Sequence, residues 1–220
     1  MNNRELEAHN ALVFSYLTLR KVLGILGIAL PIIVAVGAWI IFQTGLQRSI
    51  SDYYYTGMRN VFVGSLWATA FFLLAYKGYG RLDGLLGNVG CVAAVAITIF
   101  PTTPDNPTEL AKLIGAFHLL AGTVFFGTLI IFSLFRFTLT DPKGQPSPEK
   151  LKRNTIYRVC GVIMLACIVL SALYLGLPLI GVEFLSGSNL VFWLEAVALV
   201  AFGVSWLTKG EAILQDQAVP

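Results

Sequence analysis

Six apolar stretches, separated by shorter polar segments, constrain the fold of this chain more than any other feature. Each approaches the roughly 20 apolar residues that a helix needs to cross a bilayer core of about 30 Å. Backbone amides inside hydrocarbon must find their hydrogen bonds within the chain, which favours helices. The sequence therefore predicts an all-α integral membrane bundle that forms a single domain over 1–220. Its six transmembrane helices are expected at about 22–42, 56–76, 84–100, 113–135, 157–177 and 190–207.

Charged residues are unusually scarce in this chain. They make up 12% of the 220 residues, whereas soluble globular domains carry about 25%. The net charge is only +3. This composition excludes a soluble enzyme, a disordered regulator and a basic nucleic-acid-binding protein, so no nucleic acid is expected as a partner.

The basic residues predict the orientation, because cytoplasmic loops are enriched in Lys and Arg. With both termini in the cytoplasm, twelve basic residues lie on the cytoplasmic side and three on the outer side. We therefore expect a multi-pass protein of the plasma (cytoplasmic) membrane with cytoplasmic N- and C-termini. The three outer basic residues are Arg48, Arg59 and Lys112.

Two helix starts are predicted in detail. The first 21 residues mix apolar with charged side chains, which indicates an amphipathic helix on the cytoplasmic surface ahead of the first span. In the loop before the fourth span, Asn106 is expected as the N-cap, with Pro107 at the first helical position and Glu109 at the third.

Two ionisable residues lie well inside the apolar stretches, where such groups are functional candidates by default. His118 lies five residues after Leu113, and Glu195 lies five residues after Leu190. Both helices enter from the outer side, so at 1.5 Å per residue both groups lie about 7–8 Å below the outer surface. Their equal depth predicts that they face one site.

The loop before the second span supplies further polar groups at the same outer surface. Asp52 is expected to join His118 and Glu195 in a polar site, and these three are the candidates for a catalytic role. The remaining members of the loop are expected to contact a lipid headgroup: Ser51, Tyr53, Tyr54, Arg59 and Asn60.

Three interpretations of this cluster are open. In the structural one, Glu195 bonds to Arg59 or His118 and holds helices in register. In the second, Arg59 holds a lipid phosphate while acids and tyrosines hold other headgroup atoms. In the third, His118 is a general base with an orienting acid, or one of three metal ligands. A single intramembrane histidine is a poor ligand set, so no metal and no cofactor are expected, and enzymatic activity stays open.

Several of these residues lie in segments that resemble the Frag1/DRAM/Sfk1 family of six-span membrane proteins. The segments are Ile50-Ser51-Asp52, the run 61–66 after it, the part of the fourth span that starts with Phe117-His118, and Phe192-Trp193-Leu194-Glu195. The resemblance implies work on membrane lipids, such as lipid remodelling or control of lipid organisation. It also implies site roles for Ser51, Asp52, His118 and Glu195.

The sequence therefore favours a membrane protein that binds, or binds and modifies, a lipid in the outer leaflet. One alternative is a small transporter or channel, which needs a polar path through both leaflets, although the inner halves of the spans offer little beyond Asn88. Another is a structural subunit of a membrane complex, because the longest segment outside the spans has 21 residues. Expected partners are membrane lipids, together with a membrane protein or a second copy of the chain.

Overall fold

The computed structural model describes residues 3–140, 146–180, 182 and 187–214. Over these residues the chain is helical and contains no strand, which confirms the all-α class. The six α-helices are α1 (Asn3–Phe42), α2 (Arg59–Ala75), α3 (Arg81–Ile99), α4 (Glu109–Ile131), α5 (Pro148–Gly176) and α6 (Leu190–Lys209). Short 3-10 turns cover Ser51–Tyr55 and Leu177–Ile180, and a π-helical turn, Phe132–Arg136, extends α4.

Five of these helical segments are long and apolar enough to cross a membrane. They are Tyr16–Phe42, Arg81–Ile99, Glu109–Arg136, Pro148–Gly176 and Leu190–Lys209. The predicted span 56–76 is a shorter apolar helix, α2, with 17 residues, or about 25 Å at 1.5 Å per residue. It begins only at Arg59 because Thr56 is extended and its hydroxyl accepts the Met58 amide in a turn.

One continuous helix replaces the two elements that we predicted at the N-terminus. The 40 residues of α1 run without interruption from Asn3 to the end of the first span at Phe42. The separate surface helix was therefore wrong, and residues 12–23 contain neither Gly nor Pro to end a helix there. At 1.5 Å per residue, α1 is a rod of about 60 Å.

Two other helices begin where side-chain caps place them. The hydroxyl of Thr108 accepts the Ala111 amide at 3.2 Å, so Thr108, and not Asn106, is the N-cap of α4. Likewise, Ser147 accepts the Lys150 amide at 3.1 Å. The helix α5 therefore starts at Pro148, nine residues before the predicted span, because its first turns are polar and lie outside the apolar stretch.

The helix α6 packs between α1 and α5, and α3 packs between α2 and α4. Smaller contacts join α1 to α2 and α4 to α5. A larger share of α6 is buried than of the other four span-length helices. Glycines allow α1 and α6 to approach closely: a Cβ atom on Gly203 would lie 2.5 Å from the Gly24 carbonyl oxygen. Large apolar side chains cover the outside, with Trp39 70% and Val92 69% exposed, as expected of a surface that faces lipid.

Loop contacts define the two ends of the bundle. We call the end where α1 begins and α6 finishes the terminal end, and the opposite end the distal end. At the terminal end, the Lys209 ammonium donates to the Tyr79 hydroxyl at 3.1 Å. At the distal end, the Arg48 guanidinium pairs with Asp105 at 2.8 Å. The α2–α3 loop therefore lies at the terminal end, and the α1–α2 and α3–α4 loops lie together at the distal end.

The terminal end contains a buried ion pair that the sequence did not indicate. Asp83, at the start of α3, is fully buried, and its carboxylate accepts two hydrogen bonds from Arg136, at 2.8 and 3.1 Å. It also accepts the Gly80 amide at 3.0 Å. Next to it, aromatic rings pack edge to face, including Tyr76 and Phe137 against Trp206, each with centroids 5.1 Å apart.

Candidate functional site

At the distal end, the loop between α1 and α2 is fixed to the start of α6 by hydrogen bonds. The Arg48 carbonyl accepts the Phe192 amide at 2.8 Å. The Asn189 side chain donates to the carbonyls of Leu46 and Gln47 at 3.0 and 2.8 Å. The first amides of a helix lack intrahelical partners, so this docking satisfies one of them and holds the loop against α6.

Glu195, on the second turn of α6, takes part in the same docking. Its Oε2 accepts a hydrogen bond from the Ile50 backbone amide at 2.6 Å. The structural interpretation had named Arg59 or His118 as its partner, whereas the hydrogen bond that the structure gives Glu195 comes from the loop backbone. The carboxylate therefore joins α6 to the loop that carries Asp52.

His118, on α4, is held by the end of α3. Its side chain is buried, and its Nδ1 lies 2.7 Å from the Phe100 carbonyl oxygen. A carbonyl oxygen can only accept, so Nδ1 carries the proton of this hydrogen bond. In the neutral ring, Nε2 is then the basic nitrogen.

These elements surround a cavity of about 430 Å³, which we call the distal cavity. Ser51, Asp52, His118 and Glu195 all line it. The shared depth of His118 and Glu195 in the sequence thus corresponds to a shared cavity in the structure. The volume lies within the range of about 300–1,000 Å³ that is typical of small-molecule sites.

The charges at the distal cavity are mixed. Asp52 is buried, and its Oδ2 lies 3.7 Å from Nε of Arg48. The same guanidinium reaches Asp105 at 2.8 Å, so Arg48 bridges two carboxylates. The Ser49 hydroxyl accepts the Asp52 amide at 3.1 Å and fixes the turn. One guanidinium and the carboxylates of Asp52 and Glu195 therefore line the same space.

Tyr53, which we predicted as a headgroup contact, lies in the core. It has no exposed surface, and its ring packs against Phe192 with centroids 6.2 Å apart. Burial raises the pKa of its hydroxyl, which keeps the group protonated. A headgroup cannot reach a fully buried ring, so this residue is a packing residue.

Three other predicted headgroup contacts lie outside the distal cavity, namely Tyr54, Arg59 and Asn60. The Arg59 guanidinium lies over the Tyr54 ring, 4.1 Å from its centroid, and donates to the Tyr54 hydroxyl. Arg59 and Asn60 are exposed at the start of α2. The 3-10 turn Ser51–Tyr55 separates the cavity residues from the Tyr54–Arg59 pair. Its first two residues line the cavity, whereas Tyr54 contacts Arg59 outside it.

Sequence reasoning missed several residues that line the distal cavity, including Arg48, Thr103, Gly115, Tyr174 and Ser188. Arg48 lies in the polar loop and was counted only as an orientation signal. Gly115 is required because a Cβ atom there would overlap the Thr103 hydroxyl. Tyr174 lies 3.3 Å from the Ser188 hydroxyl, and nothing in its apolar stretch marks it for this cavity.

The described residues contain no group of three His, Cys, Asp or Glu side chains that could hold a metal ion. The metal form of the catalytic interpretation therefore lacks a ligand set in that part of the chain. The general-base form stays a prediction, supported by the orientation that Phe100 gives to the His118 ring.

The apolar helices and the polar groups enclosed between them define a helical, multi-pass membrane protein. Comparison with protein-family models, with curated proteins and with solved structures finds no match to this chain. The resemblance to the Frag1/DRAM/Sfk1 family therefore stays a prediction from its motifs.

Proposed function

We propose that this chain is a six-span protein of the cytoplasmic membrane whose distal cavity binds a phospholipid headgroup from the outer leaflet. The observation that carries the proposal is the mixed charge of that cavity, where Arg48, Asp52 and Glu195 line about 430 Å³. A headgroup with both a phosphate and a primary ammonium complements this set. The phosphate pairs with Arg48, and the ammonium donates to the carboxylates. Ethanolamine phospholipids have this chemistry.

The path of the chain supports a sixth span. The residues before α2 dock on α6 at the distal end. Just after α2, the backbone amide of Lys77 donates to the Tyr16 hydroxyl at the terminal end. The helix α2 therefore connects the same two ends as its neighbours. It has 17 residues, and the segments on either side of it supply the rest of the length that a span needs.

The distribution of basic residues supports placing the terminal end in the cytoplasm. Five basic residues line one space there, namely Arg20, Lys77, Lys150, Arg153 and Lys209. At the distal end, Arg48 lies in a loop, and Arg59 and Lys112 lie in the first turns of α2 and α4. Cytoplasmic segments carry the excess of Lys and Arg in membrane proteins. The distal cavity then faces the outer leaflet.

A second feature supports a lipid rather than a water-soluble ligand. An apolar groove of about 740 Å³ runs between α1, α5 and α6. It follows α6 from Phe192 to Val204, or about 18 Å at 1.5 Å per residue. Phe192 and Ala196 line the groove, while Val191 and Glu195, on the same turns, line the distal cavity. A lipid with its headgroup in the cavity would place an acyl chain in this groove.

The transporter alternative has less support. It needs polar groups along the middle of the bundle, and Asn88, the residue that the sequence offered, is exposed on the outside of α3. There it lines a shallow apolar surface together with Val89 and Val92.

The structural alternative has an observation of its own, because Glu195 holds the loop through the Ile50 amide. The two functions separate on one substitution. Glu195→Gln keeps an oxygen that can accept this hydrogen bond but removes the negative charge. A purely structural role therefore leaves lipid retention unchanged, whereas headgroup binding weakens.

Lipid retention by the purified protein tests the proposal. Native mass spectrometry in an equimolar mixture of phosphatidylethanolamine, phosphatidylcholine and phosphatidylglycerol should show a preference for phosphatidylethanolamine. A hydrogen bond to a charged group contributes about 1.5–3 kcal/mol. Glu195→Gln and Asp52→Asn should therefore each weaken the retention of phosphatidylethanolamine by about tenfold or more.

Glu109→Gln is the matched control, because Glu109 is at the same end, 89% exposed and outside the cavity. Equal retention of the three lipids, or an equal loss in Glu109→Gln, contradicts the proposal.

A further inference from the structure

The terminal end encloses a second polar cavity, of about 530 Å³, which we call the terminal cavity. Five basic residues from α1, the α2–α3 loop, α5 and α6 line it. They are Arg20, Lys77, Lys150, Arg153 and Lys209. Glu211 is the one acidic residue in its described lining. A concentration of positive charge inside a concave, mostly apolar bundle focuses the field on that space and attracts anions.

Neutral groups hold two of these basic side chains in place. The Arg20 guanidinium lies over the Tyr16 ring, 4.5 Å from its centroid, and reaches the Lys209 carbonyl at 3.4 Å. The Lys209 ammonium donates to the Tyr79 hydroxyl at 3.1 Å and lies 4.7 Å from the centre of that ring. These contacts fix the Arg20 and Lys209 side chains at the wall of the cavity.

The buried carboxylate of Asp83, at the same end of the bundle, is paired with Arg136. Asp83 accepts both hydrogen bonds from Arg136 and a third from the Gly80 amide. Its charge is therefore balanced by Arg136, which does not line the terminal cavity. In the described lining of that cavity, the five basic residues therefore outnumber the one acidic residue, Glu211.

Two further features favour an anion with several acceptor oxygens. The Nε atom of Arg20 is buried and has no hydrogen-bond partner among the described residues, so it is a donor without an acceptor there. In addition, Ser147 and Lys150 place the first turn of α5 at the cavity wall. The start of a helix carries a partial positive charge, which adds to that of the side chains.

We propose that the terminal cavity binds a phosphate group, carried either by an anionic phospholipid of the adjacent leaflet or by a soluble phosphate compound. A phosphate offers several charged oxygens to Lys and Arg donors that converge from different helices. The inference goes beyond lipid binding at the distal cavity, since it concerns the opposite end and a different set of residues.

Titration of the full chain in detergent micelles tests the lipid source. Native mass spectrometry should detect retention of phosphatidic acid over phosphatidylcholine. Loss of one charged hydrogen bond corresponds to about a tenfold change in affinity, so Lys209→Gln should weaken the retention of phosphatidic acid about tenfold. Lys152→Gln is the matched control, because Lys152 is exposed near the same end of α5 and does not line the cavity.

Inorganic pyrophosphate tests the soluble source. It should raise the unfolding temperature of the wild type and of Lys152→Gln, but not of Lys209→Gln. Binding of either probe with this dependence on Lys209 supports the proposal and identifies the source. Equal effects of Lys209→Gln and Lys152→Gln, or binding of neither probe, overturn it. Each variant must unfold at the wild-type temperature without ligand, and Lys77→Gln replaces Lys209→Gln in both arms if that variant is less stable.

Discussion

Removal of Arg136 should strongly destabilise the bundle, because it strands a buried charge. The Asp83 carboxylate is fully buried, and two of its three hydrogen bonds come from the Arg136 side chain, which is itself only 17% exposed. Breaking a buried pair by removing one partner costs about 3–5 kcal/mol. We expect Arg136→Gln to lower the free energy of unfolding by that amount.

The double variant Asp83→Asn with Arg136→Gln should recover part of this loss. A neutral side chain in place of the carboxylate leaves the penalty of an incompletely bonded polar group, about 1–3 kcal/mol. The double variant should therefore be more stable than Arg136→Gln alone, although it contains one more substitution.

The chain contains a matched exposed pair as a control. The Lys112 ammonium lies 2.7 Å from the Glu109 carboxylate, a distance close to that of the buried pair, but the two side chains are 56% and 89% exposed. Exposed pairs contribute about 0–1 kcal/mol, so Lys112→Gln should have little effect. Equilibrium unfolding in mixed micelles with increasing dodecyl sulfate, followed by tryptophan fluorescence, to which the buried Trp206 contributes, measures all three variants. Equal losses in Arg136→Gln and Lys112→Gln, or a double variant less stable than Arg136→Gln, would refute the reasoning.

Two further predictions concern helix contacts and helix starts. Gly203→Ala places a methyl group against the Gly24 carbonyl and should lower the free energy of unfolding by about 1–3 kcal/mol. The control, Gly122→Ala, has open space around it and should not lower this free energy in the same unfolding experiment. An equal loss in both variants would contradict the close contact between α1 and α6. Thr108→Ala removes the N-cap of α4 and should lower the free energy of unfolding by about 1 kcal/mol, whereas Asn106→Ala should leave it unchanged. A larger loss in Asn106→Ala than in Thr108→Ala would instead identify Asn106 as the cap.

The helical class could be predicted because apolar stretches of this length have one economical structure in a membrane. The ends of the helices could not, because they depend on single side chains. Thr108 and Ser147 cap α4 and α5, and neither is distinguished by hydropathy from its neighbours. The turn around Thr56 likewise shortens α2.

The two cavities were predictable to different degrees. His118 and Glu195 were found because an ionisable group inside an apolar helix is conspicuous and its depth can be counted. The positions of loop residues cannot be derived from a residue count in this way. Arg59 was therefore chosen for the polar site, and Arg48, which lines the distal cavity, was missed. At the terminal end, Arg20 and Lys209 were used only as signs of orientation, because their convergence depends on how α1 and α6 pack.

The contribution of α6 to both cavities has a mechanical consequence. Glu195 lines the distal cavity and Lys209 lines the terminal cavity, and both belong to this one helix. Fourteen residues separate them, which is about 21 Å at 1.5 Å per residue. A helix resists compression along its axis, so a shift or rotation of α6 at one cavity also displaces the wall of the other. If both cavities bind ligands as proposed, binding at one of them is linked to binding at the other through this single helix.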